Sequence, residues 1–495
     1  MGRRWTRMLL SALLAGWLMA SAHGVSAASP REMTATERWV AQQVAAGLPA
    51  DLSVAPISRE IRADFVSNLV RNLIAEAPLT SKGVLVTNAF VTGQLDIRFS
   101  EVTHPILLSG CEFVDSVVLL GAQFRNAVSF DGSIFDQDAI FNSAYFDGPL
   151  ILNHTEFRRG VDLVSAEIAG QLEVLGAQLS GNSSFDYLKV GGAFHMQETS
   201  VRDTLKVAGA TFGGDVEIHG AAPSPGAKGG SKSPIQSIDL SDSTVSGDLT
   251  IWDVSFGSFT ASGLRVSALA DLSYVSFKSG LDLSRATFSV LKVGDAVDLP
   301  PSQDRVHITG MTFQSVVGSW QPLRRLIGGA QYDSSAYDQL QLELQKRGDF
   351  AGGDDVLWEH QTRERQRLMR GGVGQLPRWS MNLAQGYLSN YGRDPYRPLA
   401  IAAIVILIGG LVFRPRFMKA VTDADVTKGT DTHPGQYNAF EYSLGLFIPA
   451  FHLGMAKRWE PKTLVVKILS YIHQGLGWTI AAVALAMYSG LIPKA

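Results

Sequence analysis

Glu173, His195 and Glu217, evenly spaced along the chain, are the residues whose types and spacing point to chemistry. At successive heights of a stacked fold, about 4.8 Å apart, two carboxylates around an imidazole would bind a metal ion or pass a proton. The plainer reading is a solvated ladder in which the histidine relieves repulsion between two glutamates. No Gly-x-Gly-x-x-Gly lies between a strand and a helix, and there is no Cys-x-x-Cys and no haem-attachment sequence, so no cofactor and no catalytic residue is expected. Cys111 is the single cysteine, which excludes an intramolecular disulfide and a multi-cysteine zinc site. It shares a column of small residues with Ala122 and Ser133 and reads as core, not as a nucleophile. Near the C-terminus, His452 and His473 could join Glu441 in a proton path, interfacial anchoring being the plainer reading.

The even spacing matters because the chain repeats. Val91, Val102, Phe113, Phe124, Phe135, Phe146, Phe157, Ile168, Leu179, Val190, Val201 and Phe212 follow one another at intervals of eleven, and Glu173, His195 and Glu217 are two such intervals apart. Two residues before each anchor the side chain is usually small, as in Ala89, Ser100, Cys111, Ala122 and Ser133. Four and six residues after it come apolar pairs such as Val128/Phe130 and Leu150/Leu152. Residues two apart share one side of a strand, so each unit holds two short strands with two inward residues each. One unit buries almost nothing, and units must therefore stack with like residues in columns. Two units per coil predict a mainly β chain: a four-sided β-helix over residues 80–300, with a Gly/Pro/Ser-rich loop at 220–234.

The position five after each anchor faces solvent. One outward column reads Leu85, Leu107, Ser129, Ile151, Glu173, His195, Glu217, Asp239; the other reads Asp96, Val118, Ile140, Asp162, Ser184, Lys206. Leu107, Val118, Ile140 and Ile151 stack at similar height, which marks them as candidates for binding a protein partner or a second copy.

Flanking segments suit an exported membrane protein. Arg3, Arg4 and Arg7 before an apolar run, ending in small residues at Val25-Ser26-Ala27, read as a signal peptide over 1–27. Residues 28–79 read as a helical cap for the open end of the rod: Thr34 and Glu37 form a capping box, and Ser58 starts a second helix carrying Ile61, Phe65, Leu69 and Leu73. Residues 301–372 read as a helical hairpin and linker, with Tyr337, Leu340 and Leu344 before Gly348 and then Val356 to Leu368. Its Arg363, Arg365, Arg367 and Arg370 read as a solvated face that, beside a membrane segment, can contact anionic lipid. Residues 373–495 read as a membrane domain with spans at about 396–413 and 473–492 and a re-entrant or interfacial segment over 443–456, broken by Pro449. A signal peptide places the rod outside the membrane and Arg414, Arg416, Lys419, Lys457 and Arg458 inside, although Arg393 and Arg397 then lie outside.

Ile61-Arg-Ala-Asp-Phe65, Gly93-Gln-Leu-Asp-Ile97, the eleven-residue repeat, Tyr337 to Leu344 with Gly348, and Tyr442-Ser-Leu-Gly-Leu446 with Pro449 occur in an order that resembles bacterial pentapeptide-repeat membrane proteins, some of which carry the label membrane-associated oxidoreductase. The resemblance implies a right-handed quadrilateral β-helix joined to a two-span membrane domain, with no settled activity. The oxidoreductase label has no support in the residues. Pentapeptide-repeat proteins also include DNA mimics, and 25 Asp/Glu against 14 Lys/Arg over residues 80–300 is the charge sign mimicry needs. Export removes that target, and a net charge of −3 argues against nucleic acid as a partner. The expectation is an envelope scaffold, non-catalytic, in contact with membrane lipid and with a protein partner or itself. A proton- or ion-coupled transport device is the alternative, and an oxidoreductase stands last.

Overall fold

A unit with two apolar pairs can bury them only against copies of itself, and the chain folds accordingly. The structure, a computed structural model, describes residues 32–54, 58–220, 233–394, 396–421, 436–448 and 458–489. The expected signal peptide, most of the 220–234 loop, Pro449 and His452 lie outside the described residues. The chain divides into two units, one ending at Ala330 and the other beginning at Gln331.

The first unit is a parallel β-solenoid of about 10 coils. One coil holds four short strands, Gln123–Phe124, Val128–Ser129, Ile134–Phe135 and Ala139–Ile140. Phe124 pairs with Val102 below and Phe146 above, and Phe135 with Phe113 and Phe157, so the register advances by two repeat units per coil. All twelve anchors are buried. Phe113, Phe135 and Phe157 stack ring on ring, with centroids 5.0 and 4.6 Å apart, and Phe130 meets Phe135 edge-on at 5.5 Å. Each such ring contributes about 1.5–3 kcal/mol by burial. The small column carries its own hydrogen bonds: Ser133 Oγ donates to the Leu108 carbonyl at 2.8 Å and Thr155 Oγ1 to Leu152 at 2.6 Å. These hydroxyls therefore sit in the core with their hydrogen bonds made.

The corners follow the same period. The residue three before each anchor, from Asn88 through Phe99, Gly110 and Gly121 to Gly209, has φ between +53° and +69°. This left-handed turn closes each half-coil, although most of its occupants are not glycine. Gly132→Ala is expected to cost about 1–2 kcal/mol from backbone strain alone, since a Cβ there meets nothing closer than 3.8 Å. Gly160→Ala should cost distinctly more, because its Cβ would fall 2.2 Å from the Asn182 carbonyl of the next coil, at φ +103°. Thermal melting of the two variants checks the order; equal losses would mean that adjacent coils give way freely.

At the N-terminal end α1 (Ala35–Ala45) opens with the expected capping box of Thr34 and Glu37. The second helix differs from expectation. Glu60–Arg62 is a strand paired in parallel with Phe90–Thr92, and α2 spans only Ala63–Val70, which leaves Leu73 exposed. The first coil offers an unpaired edge at this point, and the backbone of Ile61 satisfies it better as a strand than as a helical turn. Along α2, Ser67 Oγ and Arg71 Nη2 both donate to the Asp96 carbonyl. After the last strands of the solenoid comes α3 (Gln321–Gly329).

The second unit is helical. Helices α4 (Ser334–Lys346) and α5 (Phe350–Arg370) form a hairpin around Gly348, followed by α6 (Leu376–Ser389), α7 (Arg397–Val412), α8 (Ala439–Phe447) and α9 (Leu464–Tyr488). Among the described residues, α9 is the one helix long and apolar enough to cross a membrane. It begins at Leu464 rather than near 473, because Thr463 caps it by accepting from the Val466 N–H and Lys467 is carried within its first turn. Helix α7, at 16 residues, is a shorter apolar helix. Helices α7, α8 and α9 pack on one another. Glycines permit the approach: a Cβ on Gly477 would lie 2.1 Å from the Phe447 carbonyl.

Candidate functional site

Two outward columns on the solenoid carry the residues singled out by type and spacing. In the first, Leu85, Leu107, Ser129, Ile151, Glu173, His195 and Glu217 are paired in that order, coil on coil. The column then departs from the reading. Glu217 pairs with Thr250 and not with Asp239, which belongs to the other column, above Lys206. The coil containing the loop is longer by one repeat unit, so the period keeps its phase while the two half-coils exchange places in the count.

The stacked Glu173, His195 and Glu217 do not form a metal site. His195 Nε2 lies 3.8 Å from Glu217 Oε2, beyond a hydrogen bond. Glu173 turns both oxygens to neighbouring amides, accepting from Gln171 Nε2 at 2.6 Å and Asn153 Nδ2 at 2.8 Å. Glu217 accepts from Gln197 Nε2 at 3.3 Å. Among the described residues no group of three or more His, Cys, Asp or Glu is arranged to hold a metal ion. Side-chain amides flanking each carboxylate compete for the lone pairs a cation would need, and the column is a polar ladder.

The second column runs Asp96, Val118, Ile140, Asp162, Ser184, Lys206 and Asp239. Val118 is only 5% exposed and Ser129, on the first column, 7%. Short side chains in a ladder are covered by longer neighbours one coil away, Val118 by Asp96 and Ile140, Ser129 by Leu107 and Ile151. Val118 is thus not an accessible contact residue, whereas Leu107, Ile140 and Ile151 remain half-exposed. Burial, with repulsion from Asp138 added, pushes the Asp162 carboxyl above the usual carboxylate range.

No family model, curated protein or solved structure matches this chain. Cys111 lies in the core, 1% exposed, and burial pushes its thiol up to about 12, which keeps it protonated and unreactive at neutral pH.

Two clusters in the helical unit went unread in the sequence. Tyr337, on the first helix of the expected hairpin, is fully buried with its ring stacked 5.3 Å from His360. Its hydroxyl accepts from Arg363 Nη1 at 2.8 Å and lies 3.1 Å from Glu359 Oε1. Burial lowers the pKa of His360, against the pull of Asp338 and Glu364. His473 is not an interfacial anchor: it is buried among α7, α8 and α9, with Nε2 3.1 Å from both the hydroxyl and the carbonyl oxygen of Ser443. Ser443 Oγ donates in turn to the Ile406 carbonyl at 2.8 Å, so His473 is the donor to Ser443. The signal for this pair was the glycine opposite: a Cβ on Gly409 would meet Ser443 Oγ at 2.2 Å and His473 Cε1 at 2.7 Å.

Proposed function

We propose that the chain is a membrane-anchored scaffold of the pentapeptide-repeat kind, with a right-handed, four-sided solenoid exposed outside the membrane and no catalytic role. The observation that carries this reading is that Leu107, Ile140 and Ile151 stay half-exposed on the two outward columns, Ile140 between buried Val118 below and Asp162 above. Leu107 and Ile151 flank Ser129 in the same way on the first column. Stacked apolar side chains on a rigid rod make a contact surface for a protein partner or a second copy, because the backbone beneath them loses little freedom on binding. The interior, filled by aromatic rings, supports a rod and not a container. Helix α9, apolar and with Ile468, Ile472 and Leu476 exposed, supplies the anchor.

Ile140→Gln and Leu107→Ser are expected to leave melting nearly unchanged, within about 1 kcal/mol, and to abolish the chain's association in cross-linked membranes. Association at the level of the unsubstituted protein would sink the contact surface. A melting loss as large as that of a core substitution would place Ile140 inside the rod.

A further inference from the structure

The turn joining α5 to α6 exposes Met369 at 71%, Val373 at 81%, and Leu376 and Met381 at 52% each. Arginines interleave these side chains: from residue 365 to residue 392 the chain carries Arg365, Arg367, Arg370 and Arg378 and no Asp or Glu. Arg367 and Arg378 line a hollow at the turn together with Glu364, Leu368, Gly371 and Gln375. Arg365 lies over the Tyr387 ring at 5.9 Å, with a buried Nη1 that has no acceptor among the described residues. Helix α6 packs on α9 and on α7, so the turn belongs to the helical unit that holds the apolar helix.

We propose that this elbow, residues 365–381, lies on the membrane surface and takes the phosphate headgroups of anionic phospholipid, its apolar side chains entering the acyl boundary. Cations interleaved with exposed apolar side chains are the composition of an interfacial element. A soluble phosphate or a nucleic acid would satisfy the arginines but leave Met369, Val373, Leu376 and Met381 in water. The proposal rests on the membrane anchor of the preceding section and adds Arg378 and the apolar side chains that enter the boundary beside the arginines.

The test uses the full chain, with Val373→Cys carrying an environment-sensitive fluorophore; Cys111, buried in the solenoid, is not labelled. The protein is reconstituted into nanodiscs of phosphatidylcholine alone or with phosphatidylglycerol. Anionic discs should shift the emission to the blue and lower aqueous iodide quenching about threefold. Combined Arg367→Gln, Arg370→Gln and Arg378→Gln should remove the difference between discs with circular dichroism unchanged. Free glycerol phosphate added to neutral discs should not reproduce it. Equal quenching in both discs, an unchanged response in the triple variant, or a full response to glycerol phosphate would each overturn the proposal. If the protein fails to enter discs at all, the anchor is wrong and the elbow falls with it; if it enters and the label stays in water, only the elbow does.

Discussion

Phe135→Asp should leave the chain without a stable rod. The ring is 1% exposed and lies between Phe113 and Phe157, with Phe130 and Phe141 edge-on. Removing it costs about 3–5 kcal/mol, and a carboxylate set among four aromatic rings adds several more. A total of about 5 kcal/mol or above rivals the net stability of a typical domain, about 5–15 kcal/mol. Circular dichroism and limited proteolysis of the purified variant provide the readout. A melting temperature within a few degrees of the unsubstituted protein would show that Phe135 is not inside.

The second large effect belongs to the cap. Glu37 is fully buried, yet it accepts from Arg62 Nε at 2.9 Å and Nη2 at 2.7 Å, and from the backbone N–H groups of Thr34 at 2.8 Å and Arg62 at 3.1 Å. Burial alone would raise its pKa; the Arg62 hydrogen bonds and the two backbone donors outweigh burial and hold it below the usual carboxylate range. Glu37→Ala should cost about 2–4 kcal/mol, because Arg62 loses the carboxylate that takes its Nε and Nη2, keeping only Asp64 at 3.8 Å and the Glu32 carbonyl, and α1 loses its capping box. The pH dependence follows from a lowered folded-state pKa. The contribution of Glu37 is complete above its unfolded pKa of about 4.3 and fades as pH falls through the lower folded value. Glu37→Gln should be flat over that window. Hydrogen exchange across residues 35–45 at pH 7 and pH 3 separates the two, and identical acid profiles would remove the ion pair from the account.

The interior was legible in the sequence because stacking turns a three-dimensional column into a linear period: Phe113, Phe135 and Phe157 could be assigned to one ladder from their numbers alone. The capping box was legible because Thr34 and Glu37 act over one turn of helix. Arg62 was not, since it reaches Glu37 across 25 residues without a repeat to mark it. The corner column escaped because residues as different as Asn88, Phe99, Ser143 and Tyr187 adopt the same positive φ; the turn is imposed by strand pairing on both sides and leaves little mark on composition. Val118 was misread because outward direction and exposure are separate properties in a ladder whose rungs are about 4.8 Å apart, where a neighbour's length decides what water reaches. Glu173, His195 and Glu217 stand coil on coil in the expected column, and of the two readings the spacing offers, metal site or solvated ladder, their arrangement fits the ladder. The amides that occupy their oxygens, from Gln171, Asn153 and Gln197, sit beside them or one coil below and carry no spacing signal of their own.

The step from Glu217 to Thr250 takes three repeat units where the step from Glu173 to His195 takes two, and the surplus lies between His219 and Ser233. Counted by two-unit coils, Asp239 would fall on the column of Glu217; the pairing puts Thr250 there and Asp239 above Lys206. The described strands on either side of the surplus keep regular partners, Leu205 with Ile238 and Val216 with Leu249. A lineage of such rods can therefore gain or lose single units in its middle while everything beyond keeps its partners, so that relatives of this chain should differ by elevens at this corner and agree in the coils that follow.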